Sequence, residues 1–470
     1  MNALAAKNEN NTFQVISPID GSVYLERSYH NKSDIDAVLE KAEKAQKTWR
    51  KTSLTQRKEI LSKALDILVS WSTDIAEEIT WQIGRPLSQS PGEIRGLEER
   101  GRHMIDIAED ALADIVPEEK KGFRRFIKRV PVGIIAIIAP WNYPYLTSVN
   151  GIYPALLAGN AVVLKHSHQT PLVADRYAAA LAEAGLPDGV FQTLDLTHQD
   201  TEYLMGHDLV NFVNFTGSVG GGHAVQNAVK DKFIATGLEL GGKDPAYVRF
   251  DADLDFAVEN LVDGAFFNSG QSCCGIERIY VHDSLFDEFV EKFAHLTRRY
   301  KLGNPLSPET NIGPMVRTAA ADYVREEIAN AVKQGATTLI DEDKFTDSKE
   351  GTAYLAPQVL VDVTHEMSIM TEENFGPVVG IMRVSNDEEA TALMNDSDYG
   401  LTASIWTKDT DAAAAMAVDI ETGTVFMNRC DYLDPALAWT GVKDSGRGCT
   451  LSTLGFEAVT RPQSFHFRLP

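Results

Sequence analysis

The chain has 470 residues, 44% of them hydrophobic, with a formal charge of −23, so two or three domains are expected. The acid excess, without a basic block or basic helix face, argues against a nucleic-acid partner and for solubility. No apolar run approaches the roughly 18 residues of a membrane span.

Residues 1–30 are polar, then strand-like in FQVIS and SVYLERS. The start, MNALAAKNENNTF, lacks the apolar segment of a signal peptide. Four cysteines do not make a disulfide framework, and a reducing cytoplasm is expected. From about Ser33 to Ile115 apolar residues recur at three and four, which predicts helices. The charged stretch PEEKKGFRRFIKRV, 117–130, reads as a solvated face or as a protruding ribbon. VGIIAIIAP, 132–140, is a continuous apolar run ending in proline and suits a strand buried on both faces. GNAVVLKHS is a second such strand, ending near Lys165. An Ala-rich helix over 172–185, the turn GLPDG and the strand VFQTL follow. DLVNFVNFTGS reads as a strand entering a Gly-rich turn, and HAVQNAVK as a helix. Alternation at this spacing implies a parallel sheet of βαβ units.

After Gly242 the alternation resumes with the strand DPAYVRF. Asp253 would cap a helix running to about Asn268. IYVHD is a strand, and SLFDEFVEKFAHLTRRY and TAAADYVREEIANAVKQ are amphipathic helices. LAPQVLVDV, GPVVGIMRV, LTASIWT and GTVFMN read as strands, with helices near 387–396 and 410–420. The tail TRPQSFHFRLP alternates like an edge strand.

Chemistry concentrates at FFNSGQSCCGIER, 266–278, where Cys273 and Cys274 follow a Gly-Gln turn. An exposed thiolate there would be a nucleophile, whereas a cysteine in apolar surroundings is otherwise a small buried hydrophobe. No second Cys/His pair stands at ligand spacing, so no metal site is expected. Cys430 and Cys449 are read as structural. Glu239, in LELGGK, either closes a turn or, partly buried, serves as a general base. PWNYP, 140–144, sits at the end of a predicted parallel strand, beyond which ligands bind in open α/β sheets. Asn142 there would donate to a developing oxyanion, or simply bond loop backbone. FTGSVGGG, 215–222, joins a strand to a helix and would suit a pyrophosphate, although its spacing is not G-x-G-x-x-G.

Together these motifs resemble the NAD(P)-dependent aldehyde dehydrogenase superfamily. The likeness runs from about residue 15 to the C-terminus through PWNYP, VVLK, FTGS, LELGGK, FFNSGQSC, EENFGPVV and GVKDSGRG, with Glu239 and Cys273 34 positions apart. The resemblance implies that Cys273 attacks the aldehyde and that Asn142 and the Cys273 N–H hold the oxyanion. Glu239 would activate the water that hydrolyses the thioester. On the cofactor side it implies Trp141 beside the oxyanion loop, Lys165 at the adenosine ribose and Ser218 at the pyrophosphate. Glu373 would meet the nicotinamide ribose, and Phe375 would pack near the ring. His168 stands where many NAD-preferring members carry a Glu that repels a 2′-phosphate. NAD is therefore expected, with NADP at least tolerated.

The family's usual Pro-Phe-Gly-Gly is replaced here by Ala438, Trp439, Thr440 and Gly441. The expected pocket walls are Tyr143, Thr147, Asn150, Ser272, Cys274, Tyr432 and Trp439. Those walls favour an uncharged, fairly apolar aldehyde. Arg429 would instead meet a substrate carboxylate, as in semialdehyde oxidation, or lie on the surface; Arg278 is read as structural. Passage of the acyl group to coenzyme A is disfavoured because that branch typically lacks the base at position 239. A non-catalytic body and a redox-sensing thiol pair are the remaining alternatives, and the retained catalytic and cofactor motifs oppose both. The implied fold class is α/β, aldehyde-dehydrogenase-like. It comprises a Rossmann-like cofactor domain (1–111 and 131–241), an α/β catalytic domain (242–456) and a small β oligomerisation ribbon (112–130 and 457–470). The ribbon's open edges imply a homodimer or homotetramer.

Overall fold

The computed structural model describes residues 11–470; the polar start discussed above lies largely outside them. Two sheets carry the structure. The first has six strands, in the spatial order Gly446–Arg447, Ala235–Glu239, Val210–Thr216, Ile134–Ile138, Ala161–Lys165 and Phe191–Thr193. All neighbours are parallel except the short Gly446–Arg447 strand. The chain steps outward from Ile134–Ile138, then returns to place Val210–Thr216 on its other side. A crevice therefore opens between the carboxyl ends of those two strands.

The β-branched run explains the burial. Ile134, Ala136 and Ile138 pack on one face with Ile35 and Leu39 of helix Lys32–Trp49. Ile135 and Ile137 enter the opposite core with helices Leu54–Ser70, Pro91–Ala111 and Pro144–Leu157. A strand clothed on both faces has no polar side to show, which is why it reads as unbroken hydrophobicity.

The second sheet has seven strands, in the order Thr337–Thr338, Gln358–Val361, Val378–Val384, Ile276–His282, Asp244–Val248, Thr402–Trp406 and Thr424–Met427. Asp244 pairs with Ile276, so the turn bearing Cys273 enters this sheet at its amino edge. Glu239 ends a strand of the first sheet and Asp244 begins one of the second. The carboxyl edge of one sheet thus faces the amino edge of the other.

Several expectations need correction. LELGGK is not only a bend, because Glu239 closes a strand. The helix His198–Gly206 was not anticipated; its short, polar sequence carries little periodicity. The helix capped by Asp253 stops at Phe266 instead of reaching Asn268. The charged stretch becomes the strand Phe123–Pro131, paired antiparallel with Thr460–Arg468 in a separate two-stranded ribbon. Trp439, Leu451 and Phe456 pack in the core of the first sheet, so the chain returns there before residue 456. No helix among the described residues is long and apolar enough to cross a membrane.

Candidate active site

Where the two sheet edges meet lies a cavity of about 400 Å³. Cys273, Cys274, Glu239, Tyr143, Thr147, Asn150, Tyr432 and Trp439 all line it. The thiol and the carboxylate singled out in the sequence, 34 positions apart there, share one space.

The cysteine turn is over-determined. Asn268 and Ser269 both adopt left-handed backbone, with φ of 52° and 57°, a conformation that is costly outside glycine. Asn268 is held by the Arg85 Nε, which donates to its Oδ1 at 3.0 Å, and by its own Nδ2, which donates to the Gln271 carbonyl at 3.2 Å. The Ser269 hydroxyl donates to the Gly313 carbonyl at 2.9 Å. Gln271 donates to the Asn268 carbonyl at 3.1 Å and accepts from the Val316 N–H at 2.8 Å. Beyond the turn, the Ser272 hydroxyl and the Cys274 thiol both donate to Asp431 Oδ1, at 3.0 and 2.9 Å. The two neighbours of Cys273 are thereby tied to one carboxylate, and Cys273 itself stays half-buried in the cavity wall. The contact with Cys273, and then burial, push the Cys274 thiol well above its usual range.

Arg85 organises the Asn142 loop. It is 2% exposed and pairs with Glu93 at 2.8 Å. Its Nη2 donates to the Asn142 carbonyl, and its guanidinium lies 4.6 Å from the centre of the Tyr143 ring. The second oxygen of Glu93 accepts the N–H groups of Tyr145 and Leu146, both at 3.0 Å, and so caps the helix Pro144–Leu157. Asn142 is buried and donates its Nδ2 to the Gln271 carbonyl at 3.3 Å. It packs against the cysteine turn and does not line the cavity. Sequence reading missed Arg85, Glu93 and Asn268. Arg85 follows a glycine at a helix end, and nothing local distinguishes it from a surface cation.

Glu239 is 8% exposed. Its two oxygens accept from the Thr450 hydroxyl at 2.5 Å and the Thr216 hydroxyl at 3.0 Å. Burial raises its pKa, while the two hydroxyls hold it back. Thr450 is a further residue the sequence did not announce.

On the cofactor side, Lys165 ends its strand buried, and burial lowers its pKa to about 8. It forms no ion pair among the described residues. Ser218 is exposed and caps the helix Val219–Val229 through the Gly221 N–H at 3.3 Å. The glycines of this turn serve different ends. A Cβ at Gly217 or Gly221 would come within 2.7 or 2.4 Å of the Phe215 ring, whereas Gly220 opens on free space. Trp141 and Phe375 meet edge to face, with ring centres 5.7 Å apart. Glu373 accepts from the Gly242 N–H at 3.1 Å, and a Cβ on Gly241 would stand 2.3 Å from its carboxylate. Burial and then Glu277 raise its pKa to about 8. Glu277 binds the Lys243 Nζ at 2.6 Å and the N–H groups of Asn374 and Phe375 at 2.9 Å, which fixes this loop to the second sheet.

His168 is not free to greet a phosphate as a cation. Its Nε2 lies 2.7 Å from the Leu196 carbonyl, and its ring packs on Phe13 at 4.6 Å. Burial lowers its pKa to about 4, so it is neutral at neutral pH.

A model of the aldehyde dehydrogenase family matches residues 5–465. The chain belongs to the aldehyde dehydrogenase family. It is 33% identical over 446 residues to a succinate-semialdehyde dehydrogenase [NADP(+)] of Mycobacterium avium, covering 94% of each chain. It superposes with a TM-score of 0.92 on NADP-dependent glyceraldehyde-3-phosphate dehydrogenase from Bacillus halodurans complexed with NADP, at 32% identity over 98% of this chain and 96% of the other. PnpE in complex with nicotinamide adenine dinucleotide gives a TM-score of 0.93 at 30% identity, over 97% and 94% of the two chains.

The cavity of this aldehyde dehydrogenase is more charged than its sequence candidates suggested. Arg95, Glu99, Arg100, Asp263 and Asp431 join the wall, brought there by helices Pro91–Ala111 and Leu254–Phe266 and by the 428–434 loop. Ser272 does not line the cavity; its hydroxyl turns to Asp431. Cys430, read as structural, does line it. Arg429 lies outside the wall, stacked on the Tyr432 ring at 3.4 Å. Arg278 is buried and donates to the carbonyls of Lys243, Leu393 and Met394.

Replacing Arg85 by Met leaves Glu93 charged and buried without its cation. The expected loss is roughly 3–5 kcal/mol of stability, read from the denaturant midpoint, together with lower turnover as the Asn142 loop loses its anchor.

Proposed function

We propose that this aldehyde dehydrogenase oxidises its substrate through a covalent bond to Cys273, released by water that Glu239 activates. The observation that carries this reading is the shared cavity. It holds a half-buried thiol and a buried carboxylate bound only by two hydroxyls.

The Cys273 thiolate attacks the aldehyde carbon, forming a C–S bond and an alkoxide. Asn142 Nδ2, behind the cavity wall, carries two hydrogens, one directed to the Gln271 carbonyl; in this scheme the other would turn to the alkoxide beside the Cys273 backbone N–H. NAD(P), when bound, supplies the acceptor for the hydrogen that leaves with its electron pair. Loss of that hydrogen restores the C=O as a thioester. Glu239 then takes a proton from water as the oxygen attacks the thioester carbon. The C–S bond breaks, the thiolate returns and the acid departs.

The residues present suit such a dinucleotide. Lys165 is a buried amine without an ion-pair partner among the described residues, at the carboxyl end of the strand next to Ile134–Ile138. Ser218 and Gly220 offer an open helix start, and Glu373 presents a carboxylate beside Trp141 and Phe375. The neutral, backbone-bound His168 neither repels nor attracts a 2′-phosphate, which supports use of both NAD and NADP. Complexes of similar proteins with each dinucleotide favour the same reading.

The division into a cofactor unit, a catalytic unit and a ribbon is proposed with one change. Residues 439–456 are assigned to the first unit, on the packing of Trp439, Leu451 and Phe456. The ribbon, with Ile115, Val116 and Phe467 exposed beside its strands, is proposed to pair with a second copy in a cytoplasmic homo-oligomer.

Cys273→Ala is expected to lower turnover by roughly 10⁴-fold or more. Glu239→Gln should release about one equivalent of reduced cofactor per site and then stall. Glu239 acts only when ionised and its pKa is raised, so steady-state turnover of the parent falls as pH drops through that pKa. The Gln variant should lack this acid limb. A Gln variant that turns over steadily would sink the assignment. In the same assay NADP should support turnover within roughly a thousandfold of NAD; a wider gap would refute the His168 argument. Light scattering at micromolar concentration is expected to find no monomer, and a monomeric peak would overturn the ribbon's role.

A further inference from the structure

Arg100 sits in the cavity wall as a cation without an anion. It stands on helix Pro91–Ala111 and is 7% exposed. Its Nη1 donates to the Leu146 carbonyl at 2.6 Å and to Asn150 Oδ1 at 3.4 Å, both neutral acceptors. No carboxylate among the described residues comes within ion-pair distance of it. Other buried arginines of this chain are satisfied. Arg85 has Glu93 at 2.8 Å, and Arg278 donates to four backbone carbonyls. Of the buried arginines Arg85, Arg100 and Arg278, only Arg100 leaves its Nε and Nη2 without a hydrogen-bond partner among the described residues; Arg95, also in the wall, is exposed to solvent. A buried guanidinium in that state is costly unless something supplies the missing charge.

Two further polar groups of the same wall are also unmatched. The Asn150 Nδ2 and the Tyr143 hydroxyl are buried without a hydrogen-bond partner. Tyr143 immediately precedes the helix on which Asn150 stands, and both line the cavity. Most carboxylates of the wall already hold donors. Glu239 has Thr216 and Thr450, Asp431 has Ser272 and Cys274, and Glu99 has the Tyr432 hydroxyl at 2.7 Å. Asp263, on helix Leu254–Phe266, has no such donor among the described residues.

We infer that Arg100, Asn150 and Tyr143 form a subsite for an anionic group on the substrate, so that the preferred aldehyde carries a carboxylate at its far end. The planar guanidinium fork matches a carboxylate, and one cation balances one negative charge. A phosphate dianion would bring more charge than Arg100 cancels into a wall already rich in carboxylates. The subsite replaces the surface-facing Arg429 as the place where an acid would be read. It rests on the assignment of Cys273 as the nucleophile in the same cavity.

The test compares aldehydes of four or five carbons ending in carboxylate, methyl or ammonium. The parent enzyme should prefer the carboxylate over the methyl compound in kcat/KM by about 30-fold or more. In Arg100→Met that ratio should collapse, chiefly through KM of the acid. Asn150→Asp supplies Arg100 with an internal counter-ion in place of a neutral amide. It should fold and lose the same preference. A measurement without turnover separates this subsite from the catalytic scheme: glutarate should slow iodoacetamide alkylation of Cys273 in the parent and not in Asn150→Asp. A preference for the ammonium compound, which would assign the wall to Asp263, overturns the inference. So does an unchanged acid-to-methyl ratio in both variants, or alkylation indifferent to glutarate.

Discussion

One buried guanidinium joins the parts of this site that the sequence keeps far apart. Arg85 grips Glu93, Asn142, Asn268 and the Tyr143 ring at once. Through Glu93 it fixes the start of helix Pro144–Leu157, and through Asn268 it holds the left-handed turn before Cys273. The donor loop and the nucleophile loop arise more than a hundred residues apart. Desolvation makes the arrangement stringent, because a charge buried at this depth tolerates no loose partner. The backbone conformation of Asn268 and Ser269 is costly in isolation and persists because these bonds define it.

A second buried pair does similar work on the cofactor side. Lys243 follows the glycines after Glu239, and Glu277 lies just inside the strand after Cys273. Glu277 also takes the N–H groups of Asn374 and Phe375, so three segments meet on one carboxylate. Gly241 is needed there because any side chain would strike Glu373. The first pair ties the Asn142 loop to the cysteine turn, and the second ties the start of the second sheet to the 373–375 loop.

Burial then sets the ionisation of Glu239 and of the candidate cofactor-binding groups. Glu239 and Glu373 are both raised by lost hydration, but their partners differ: neutral hydroxyls in one case, a backbone N–H and a neighbouring carboxylate in the other. Lys165 and His168 are lowered by the same cause. For Lys165 this leaves a charge that persists near neutrality, and for His168 none. Arg100, like Lys165, is a buried cation without an ion-pair partner among the described residues, but it alone of the two lines the cavity.

Much of the architecture was legible from order and periodicity. Unbroken runs such as IIAII belong to strands covered on both sides, and that signal is local. The identities of Cys273, Glu239 and Asn142 stood out because each sits beside glycine, proline or a strand end, in motifs whose order resembles a known family. The charge of the pocket was not legible. Arg95, Glu99 and Arg100 lie together on one amphipathic helix, and only its crossing with helix Pro144–Leu157 decides that they line the cavity and that Arg100 is buried. The same holds for Arg85 and Thr450, whose partners are distant along the chain. Sequence by itself pointed to the fold class, which the structure bears out, and to candidate reacting groups, because those depend on local pattern and residue type. The tertiary structure alone decided which charges face the substrate, because that depends on which helices meet and on what each buried ion finds across the gap.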